Sequence, residues 1–524
     1  MHDETEMKPL LEPRVSIAAQ YSVGNPKAKV SIINSFFLQA CRAIGTKLMV
    51  GVLGFCLLSS QVNAQKLNEL PTLGDTASGT VSPELEHRLG RAWLKMLRAR
   101  TDVVDDPLIN DYLKYLVFSL AEHSQLKDRR LEFVIVNAPE LNAFAVPGGI
   151  IGVNAGLFTY AQTEQEFAAV IAHELAHLSQ RHYSRGVEQA KRNQIPSMAA
   201  LLASVVIAAT VGGDAGIAAM SATQAALLDS KMRFSRQNER EADRIGLQTM
   251  VAAGMDPGQM AAMFERMLAS QRLAGSRPPE FLLSHPVTES RVADARNRAK
   301  QFPKGNYRDN LEYYLMRSRI ALSLAPNPTV AINRFKDDLD NPNEVLRKAA
   351  YYGLALAYSR DRQGDRANET LQKLIDSDPS RISYVVAAAE INHQPRQLPK
   401  AERLLRRHLL LSPDNYPLSY QLSKNLTRQK RFKEATQLLT QMSADHPNNP
   451  LVWHDLAEVA GLEGDIIAVH RARAEYFMLT GRLDSALKQL EFAQKKAVGN
   501  YQLITRIDQR IIDARKLKRA LENF

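Results

Sequence analysis

Three columns of residues in the C-terminal half share one period of 34. Ala367, Ala401 and Ala435 form the first, Leu371, Leu405 and Leu439 the second, and Pro379, Pro413 and Pro447 the third. A fixed period of this length restricts the region to a stack of similar small units, each burying its apolar face on its neighbours. Ala and Leu four apart share one helix face. The Ala lets a paired helix approach closely, and Pro, which cannot continue a helix, marks its end. Each unit therefore reads as helix–turn–helix. Tyr351, Leu354, Ala355 and Tyr358 fill the first helix of one unit, and Trp453, Leu456 and Ala457 that of a later one. Gly481 to Ala486 supplies a further turn and second helix. About four units, some degenerate, are expected from roughly 307 to 524, as a right-handed α-solenoid whose concave face holds extended or helical segments of other proteins.

This period is that of the tetratricopeptide repeat. Upstream the pattern changes. Helical periodicity from about 84 to 123 precedes three short strands: Leu131–Val136, Asn142–Val146 and, after the Pro147-Gly148-Gly149 turn, Ile150–Val153. Thr163 and Glu166 then form a capping box, with Glu164 also acidic in the first turn of the helix it opens. Two Ala-rich apolar runs, Ile195–Val211 and onward to Leu228, flank a Gly-rich break. They read as a helical hairpin lying over the site described next; the alternative is a pair of membrane helices, for which 17 residues is marginal. The expected fold class is α+β and mostly helical, with a small β-sheet in the first domain, at 85–305, and the solenoid at 307–524.

His173-Glu174-Leu175-Ala176-His177 lies in the middle of the capped helix. Residues i and i+4 share a face, so both imidazoles can meet one Zn²⁺, with Glu174 beside them as general base toward an activated water. A third ligand is required. A metzincin would place Gly at 180 and His at 183, but Gln180 and Tyr183 stand there, so that class is excluded. His182 is one residue out of register and reads as a supporting residue. Glu239-Arg240-Glu241-Ala242-Asp243 supplies the alternative. Glu239, Ala242, Asp243 and Gly246 share a face, and the two small residues let this helix pack closely on the first. Glu239 is expected as the third metal ligand. Asp243 is expected to orient a ligand histidine or assist proton transfer, and Glu241 to be solvated.

These motifs resemble the gluzincin metalloproteases, the group that includes the CAAX prenyl endopeptidases. Paired with repeats and a secretory signal, they resemble the family of bacterial β-barrel assembly-enhancing proteases. Supporting stretches are Asn142–Gly149, Phe234–Glu239 and His285–Arg291. The resemblance implies a periplasmic zinc metalloendopeptidase, with one Zn²⁺ per chain. It would degrade unfolded or misassembled outer-membrane proteins, aid their assembly, and dock on the outer-membrane β-barrel assembly machinery through its repeats. It also suggests that His285 is a regulatory fourth ligand that keeps the protease latent; the alternative is a loop histidine capping a helix. Arg291 either steadies the oxyanion or serves as an ion-pair partner. The strand at Asn142, Ala143 and Phe144 is expected to be an edge that aligns substrate by β-augmentation. A repeat-based chaperone or adaptor with a largely latent metal site is the other reading of the same features.

Lys47, the short apolar run Leu48–Leu58 and the Val62-Asn63-Ala64 end read as a secretory signal cut after Ala64, with residues 65–84 as a linker. The alternative is an uncut N-terminal anchor. The run is too short to span a bilayer, so membrane association is expected to be peripheral. Cys41 and Cys56 are the only cysteines and both precede that cut, which excludes a disulfide scaffold and a Cys-ligated metal. The net charge of +11 over 524 residues is mild and scattered, without an aromatic-rich reading motif, so no nucleic-acid partner is expected.

Overall fold

The computed structural model describes residues 81–192, 236–273, 279–307 and 310–522. The expected signal segment, residues 65–80 of the expected linker and the hairpin at 195–228 lie outside the described residues. Among the described residues, no helix is long and apolar enough to cross a membrane.

Helix α1 (Pro83–Arg100) begins inside the stretch expected as linker. Ser82 accepts from the Leu85 amide, Pro83 occupies the first turn, and Glu84 and Glu86 meet the positive end of the helix dipole. Asp106 caps α2 (Pro107–Glu122) in the same way, accepting from the Leu108 and Ile109 amides. Strands β1 (Glu132–Val136), β2 (Ala143–Val146) and β3 (Ile150–Asn154) follow. Their order is β1–β3–β2, with β1 parallel and β2 antiparallel to β3. The tight turn between β2 and β3 needs its glycines. Gly148 has φ 84°, and a Cβ there would sit 2.3 Å from the Glu86 carbonyl oxygen. Among the described residues, β2 lies at one side of this sheet.

Helix α3 (Ala155–Tyr160) leads to α4 (Glu164–Ser179), the helix of the His-Glu-x-x-His motif. Thr163 caps it by accepting from the Glu166 amide. The return bond of the capping box is displaced by one residue: Glu166 accepts from the Gln162 amide at 2.7 Å, and also holds Arg266. Helices α5 (His182–Arg192), α6 (Arg236–Ala252), α7 (Gly258–Leu273), α8 (Glu280–Ser284) and α9 (Glu289–Ala299) complete the first domain.

The solenoid contains more helices than four units require. They are α10 (Leu311–Leu324), α11 (Pro328–Asp337), α12 (Glu344–Arg360), α13 (Gly364–Ser377), α14 (Ile382–Ile391), α15 (Leu398–Leu411), α16 (Tyr416–Arg428), α17 (Phe432–Asp445), α18 (Pro450–Glu463), α19 (Ile466–Leu479), α20 (Leu483–Lys496) and α21 (Tyr501–Glu522). The Ala and Leu columns fall on α13, α15 and α17 and are buried. Three first helices end in one left-handed turn, at Arg362, Lys430 and Gly464, spaced by the period or twice it. The next amide reaches back five residues each time: Gln363 to Tyr358, Arg431 to Leu426, Asp465 to Ala460. The same turn recurs at Gly481, only half a period on. There α19, which follows α18, is itself followed by α20 through an identical turn. The repeat changes phase at that point, and a count based on aligned columns falls short.

All described residues fall in one compact unit, and the solenoid shares its core with the first domain. Tyr313 of α10 donates to the carbonyls of Phe158 and Ala161. Partly buried Arg319 joins Asp106, the cap of α2, to Glu390 of α14. Further along, Asn448 donates to Glu132 on β1 at 2.9 Å.

Candidate metal centre

Every residue of α4 from Glu166 to His177 is buried. The segment is apolar apart from Glu166 and the motif itself. Helix α6 packs across it through Ala242 and Gly246. A Cβ at Gly246 would lie 3.1 Å from the backbone of Ala172 and His173, so the helices approach as closely as their backbones allow. That approach delivers Glu239. Its Oε2 lies 3.5 Å from His173 Nε2 and its Oε1 3.4 Å from His177 Nε2. His285, at the C-terminal cap of α8, completes the group: its Nδ1 stands 3.3 Å from His173 Nε2 and 3.1 Å from Glu239 Oε1. One ligand atom from each of His173, His177, Glu239 and His285 lies within 4.8 Å of all the others, and all four residues are buried.

This convergence fits a metal ion. His173 Nε2 and His177 Nε2 are 3.0 Å apart. Zinc bonds of about 2.0–2.1 Å place tetrahedral donors roughly 3.4 Å from one another, close to the separations seen. Inward-facing lone pairs repel unless a cation or proton lies between them. The surrounding polar contacts turn the lone pairs inward. His173 Nδ1 faces Asp243 Oδ1 at 3.0 Å, which leaves Nε2 for the centre. His182 Nε2 faces Glu241 Oε2 at 3.1 Å, and His182 Nδ1 faces His177 Nδ1 at 2.8 Å. A proton on His182 Nε2 makes its Nδ1 the acceptor for His177 Nδ1–H, so His177 Nε2 also points its lone pair inward.

Glu241 is therefore not solvated, contrary to the sequence expectation. It is half-buried, bonded to His182 and Arg185, and its carboxyl is held down to about 2, chiefly by the His182 hydrogen bond. The sequence reading had His182 one residue out of register for a ligand, as a supporting residue; the helix of the motif has already ended at that point. Arg181 breaks that helix with φ 50° and turns His182 back toward His177.

Asp243 and Arg291 form a second buried support. Arg291 holds both oxygens of Asp243 at 2.7 Å, Glu239 Oε2 at 2.9 Å and the Pro286 carbonyl at 2.8 Å. Of its two sequence readings, this geometry matches the ion pair. Burial alone would lower the pKa of His173, but the Asp243 and Glu239 carboxylates push it up to about 9. Burial raises the Glu239 carboxyl, but the His285 charge and the three imidazoles hold it well below its ordinary range. Glu174 is buried beside the cluster. Among the described residues its Oε1 has no hydrogen-bond partner, and it stands 3.5 Å from His285 Nε2.

His285 both ends a helix and reaches the cluster. Its amide donates to the Phe281 carbonyl and closes α8, while its ring lies in the cluster, stacked on Phe281 at 4.8 Å. The N-terminal end of α8 reaches the edge strand. The Phe281 amide donates to the Leu141 carbonyl at 3.3 Å, and Glu280 hydrogen-bonds the Asn142 side chain. Helix α4 packs against β2. Asn142 and Ala143 are buried, and the Phe144 ring packs over Gly152 and edge-on to Trp93 at 5.3 Å.

Comparison with known proteins agrees with this geometry. Peptidase family M48 matches residues 107–299, and a tetratricopeptide repeat matches residues 394–459. The chain is 32% identical over 421 residues to the putative beta-barrel assembly-enhancing protease of Vibrio cholerae, covering 80% of this chain and 87% of that protein. It is 31% identical over 464 residues to the beta-barrel assembly-enhancing protease of Escherichia coli strain K12, covering 88% and 94%. The mitochondrial metalloendopeptidase OMA1 of Saccharomyces cerevisiae is 31% identical over 192 residues, about a third of this chain. A buried His-His-Glu-His cluster on an M48 domain, continued by tetratricopeptide helices, places the chain among the metalloendopeptidases of the β-barrel assembly-enhancing protease family.

Proposed function

We propose that the chain is a periplasmic zinc endopeptidase of outer-membrane protein quality control, held latent by His285. The convergence of His173, His177, Glu239 and His285 on one point carries the reading. His173, His177 and Glu239 would hold zinc, and His285 would fill the position a substrate needs. When bound, zinc supplies Lewis-acid polarisation of the scissile carbonyl and acidifies the attacking water.

The residues around it do the rest. Glu174 takes the proton of the attacking water and returns it to the leaving amide nitrogen. Its buried Oε1 faces the His285 ring and has no hydrogen-bond partner among the described residues, which suits it to that exchange. Asp243, locked by Arg291, acts as a positioning residue for His173, and Glu241 does the same for His177 through His182. The backbone of β2 pairs with an extended substrate segment, so cleavage follows strand shape more than side-chain identity. The substrates are unfolded or misassembled outer-membrane β-barrel proteins, and the solenoid docks on their assembly machinery. The names of the Vibrio and Escherichia relatives support that assignment.

The test is cleavage of an unfolded β-barrel protein by the purified chain. Glu174→Gln abolishes it while keeping the metal, and His285→Ala raises it several-fold. Cleavage that survives Glu174→Gln contradicts the mechanism. An envelope phenotype fully rescued by Glu174→Gln would instead favour the adaptor.

A further inference from the structure

A cleft of about 400 Å³ lies on the seam between α1 and the last turns of the solenoid, away from the helices of the metal centre. Its floor is apolar, made by Trp453, Met478, Leu479 and Leu517. Two kinds of polar group face it. On the α1 side is Lys95, half-buried, whose ammonium has no hydrogen-bond or ion-pair partner among the described residues. On the solenoid side Arg510 is already bound to Glu475 and Asp513.

Lys95 is short of negative charge. Arg91 and Arg98 share its face of α1; Glu132 answers all three cations, while Asp128 acts on Arg91 and Asp105 on Arg98. Glu132 already accepts from Asn448. Burial and the two arginines hold the Lys95 ammonium below its ordinary pKa, so an arriving anion would relieve it. The cleft is also firmly built. Gly481 has φ 71°, and a Cβ there would lie 2.6 Å from the Lys95 carbonyl oxygen, so the solenoid turn rests directly on the backbone of α1.

We propose that this cleft binds the C-terminal carboxylate of a polypeptide whose last residue is apolar. The carboxylate pairs with Lys95, and the apolar side chain covers the Trp453, Met478, Leu479 and Leu517 floor. Glu475 and Asp513, held by Arg510, keep lone pairs for the backbone N–H groups of the preceding residues. A fatty acid matches the first two features but brings no N–H donors for the third. The proposal is independent of the metal centre's chemistry.

The test is fluorescence anisotropy with a short fluorescein-labelled peptide ending in leucine, as free acid and as C-terminal amide. The chain carries Glu174→Gln so that the probe survives. The free acid is expected to bind about tenfold tighter than the amide, as befits one charge-assisted pair. Lys95→Met removes that preference and Lys95→Arg keeps most of it, with thermal melting used to confirm that each variant is folded. Equal binding of acid and amide by the parent overturns the proposal without any Lys95 variant. So does a preference that persists in folded Lys95→Met. Decanoate that binds at the cleft while the free-acid peptide does not would reassign it to lipid acids and overturn the peptide reading.

Discussion

The peptidase centre and the solenoid are stabilised in opposite ways. Around the metal site eight ionisable side chains, His173, Glu174, His177, His182, Glu239, Asp243, His285 and Arg291, are buried together. Each depends on the others, because a charge in the interior is tolerated only with its partner. In α12 to α17 the buried residues are mostly Ala, Leu and Tyr, with small polar side chains and one histidine, His408. The solenoid's ion pairs, such as Arg431 with Glu402 and Glu434, lie nearer the surface. The difference separates function from scaffold. The centre concentrates its energetics in one network that positions donor atoms, whereas the solenoid distributes them over repeated contacts that can be lost singly.

Substitutions can break that contrast or sharpen it. The largest effect is expected from Arg291→Met, which leaves Asp243 and Glu239 buried without their cation and costs about 3–5 kcal/mol in urea unfolding of the metal-free chain. A cost below about 1 kcal/mol would show that the network is not a unit. Leu405→Ala, in the middle of the apolar column, opens a cavity worth about 2–4 kcal/mol. Proteolysis per folded molecule should stay at the parent level, and a matching loss of turnover would mean that the two regions are not separable.

A smaller effect is expected from pH. Burial and nearby Glu140 push the Glu280 carboxyl up to about 7, with the Asn142 hydrogen bond opposing them. A raised carboxyl favours the protonated fold, so the unfolded state binds fewer protons between its ordinary pKa and about 7. Stability therefore falls as pH rises through that window, by about 1–2 kcal/mol once solvent screening is counted. Glu280→Gln should flatten the profile there, and an unchanged slope would remove Glu280 as its source. The smallest effect is a gain. Lys430 holds φ 60° at a solenoid turn where Gly464 and Gly481 stand in equivalent positions, so Lys430→Gly should stabilise by about 0.5–1 kcal/mol in thermal unfolding. A loss of stability would show that the turn is supported by its side chain.

Legibility in the sequence followed the same division. The solenoid could be read because its period repeats along the chain, until the phase slip at Gly481 removed the alignment. The two histidines and Glu174 could be read because a helix places i and i+4 together, and Glu239 because Ala242 and Gly246 marked the face that packs. Arg291 could be narrowed only to two roles, since its choice depends on where α9 meets α6. Glu241 was misread because its partner, His182, reaches the site only after the left-handed turn at Arg181. A non-glycine residue in that conformation leaves no reliable mark in sequence. The seam between the first domain and the solenoid was invisible because its contacts join distant parts of the chain: Glu132 on β1 and Asn448 are 316 residues apart.

The most direct test of the central claim is the zinc content of the purified chain beside that of Glu239→Gln. About one zinc per chain, lost in Glu239→Gln while the fold is kept, is the result expected of a His-His-Glu site. Full zinc in folded Glu239→Gln would contradict it and remove Glu239 from the ligand set.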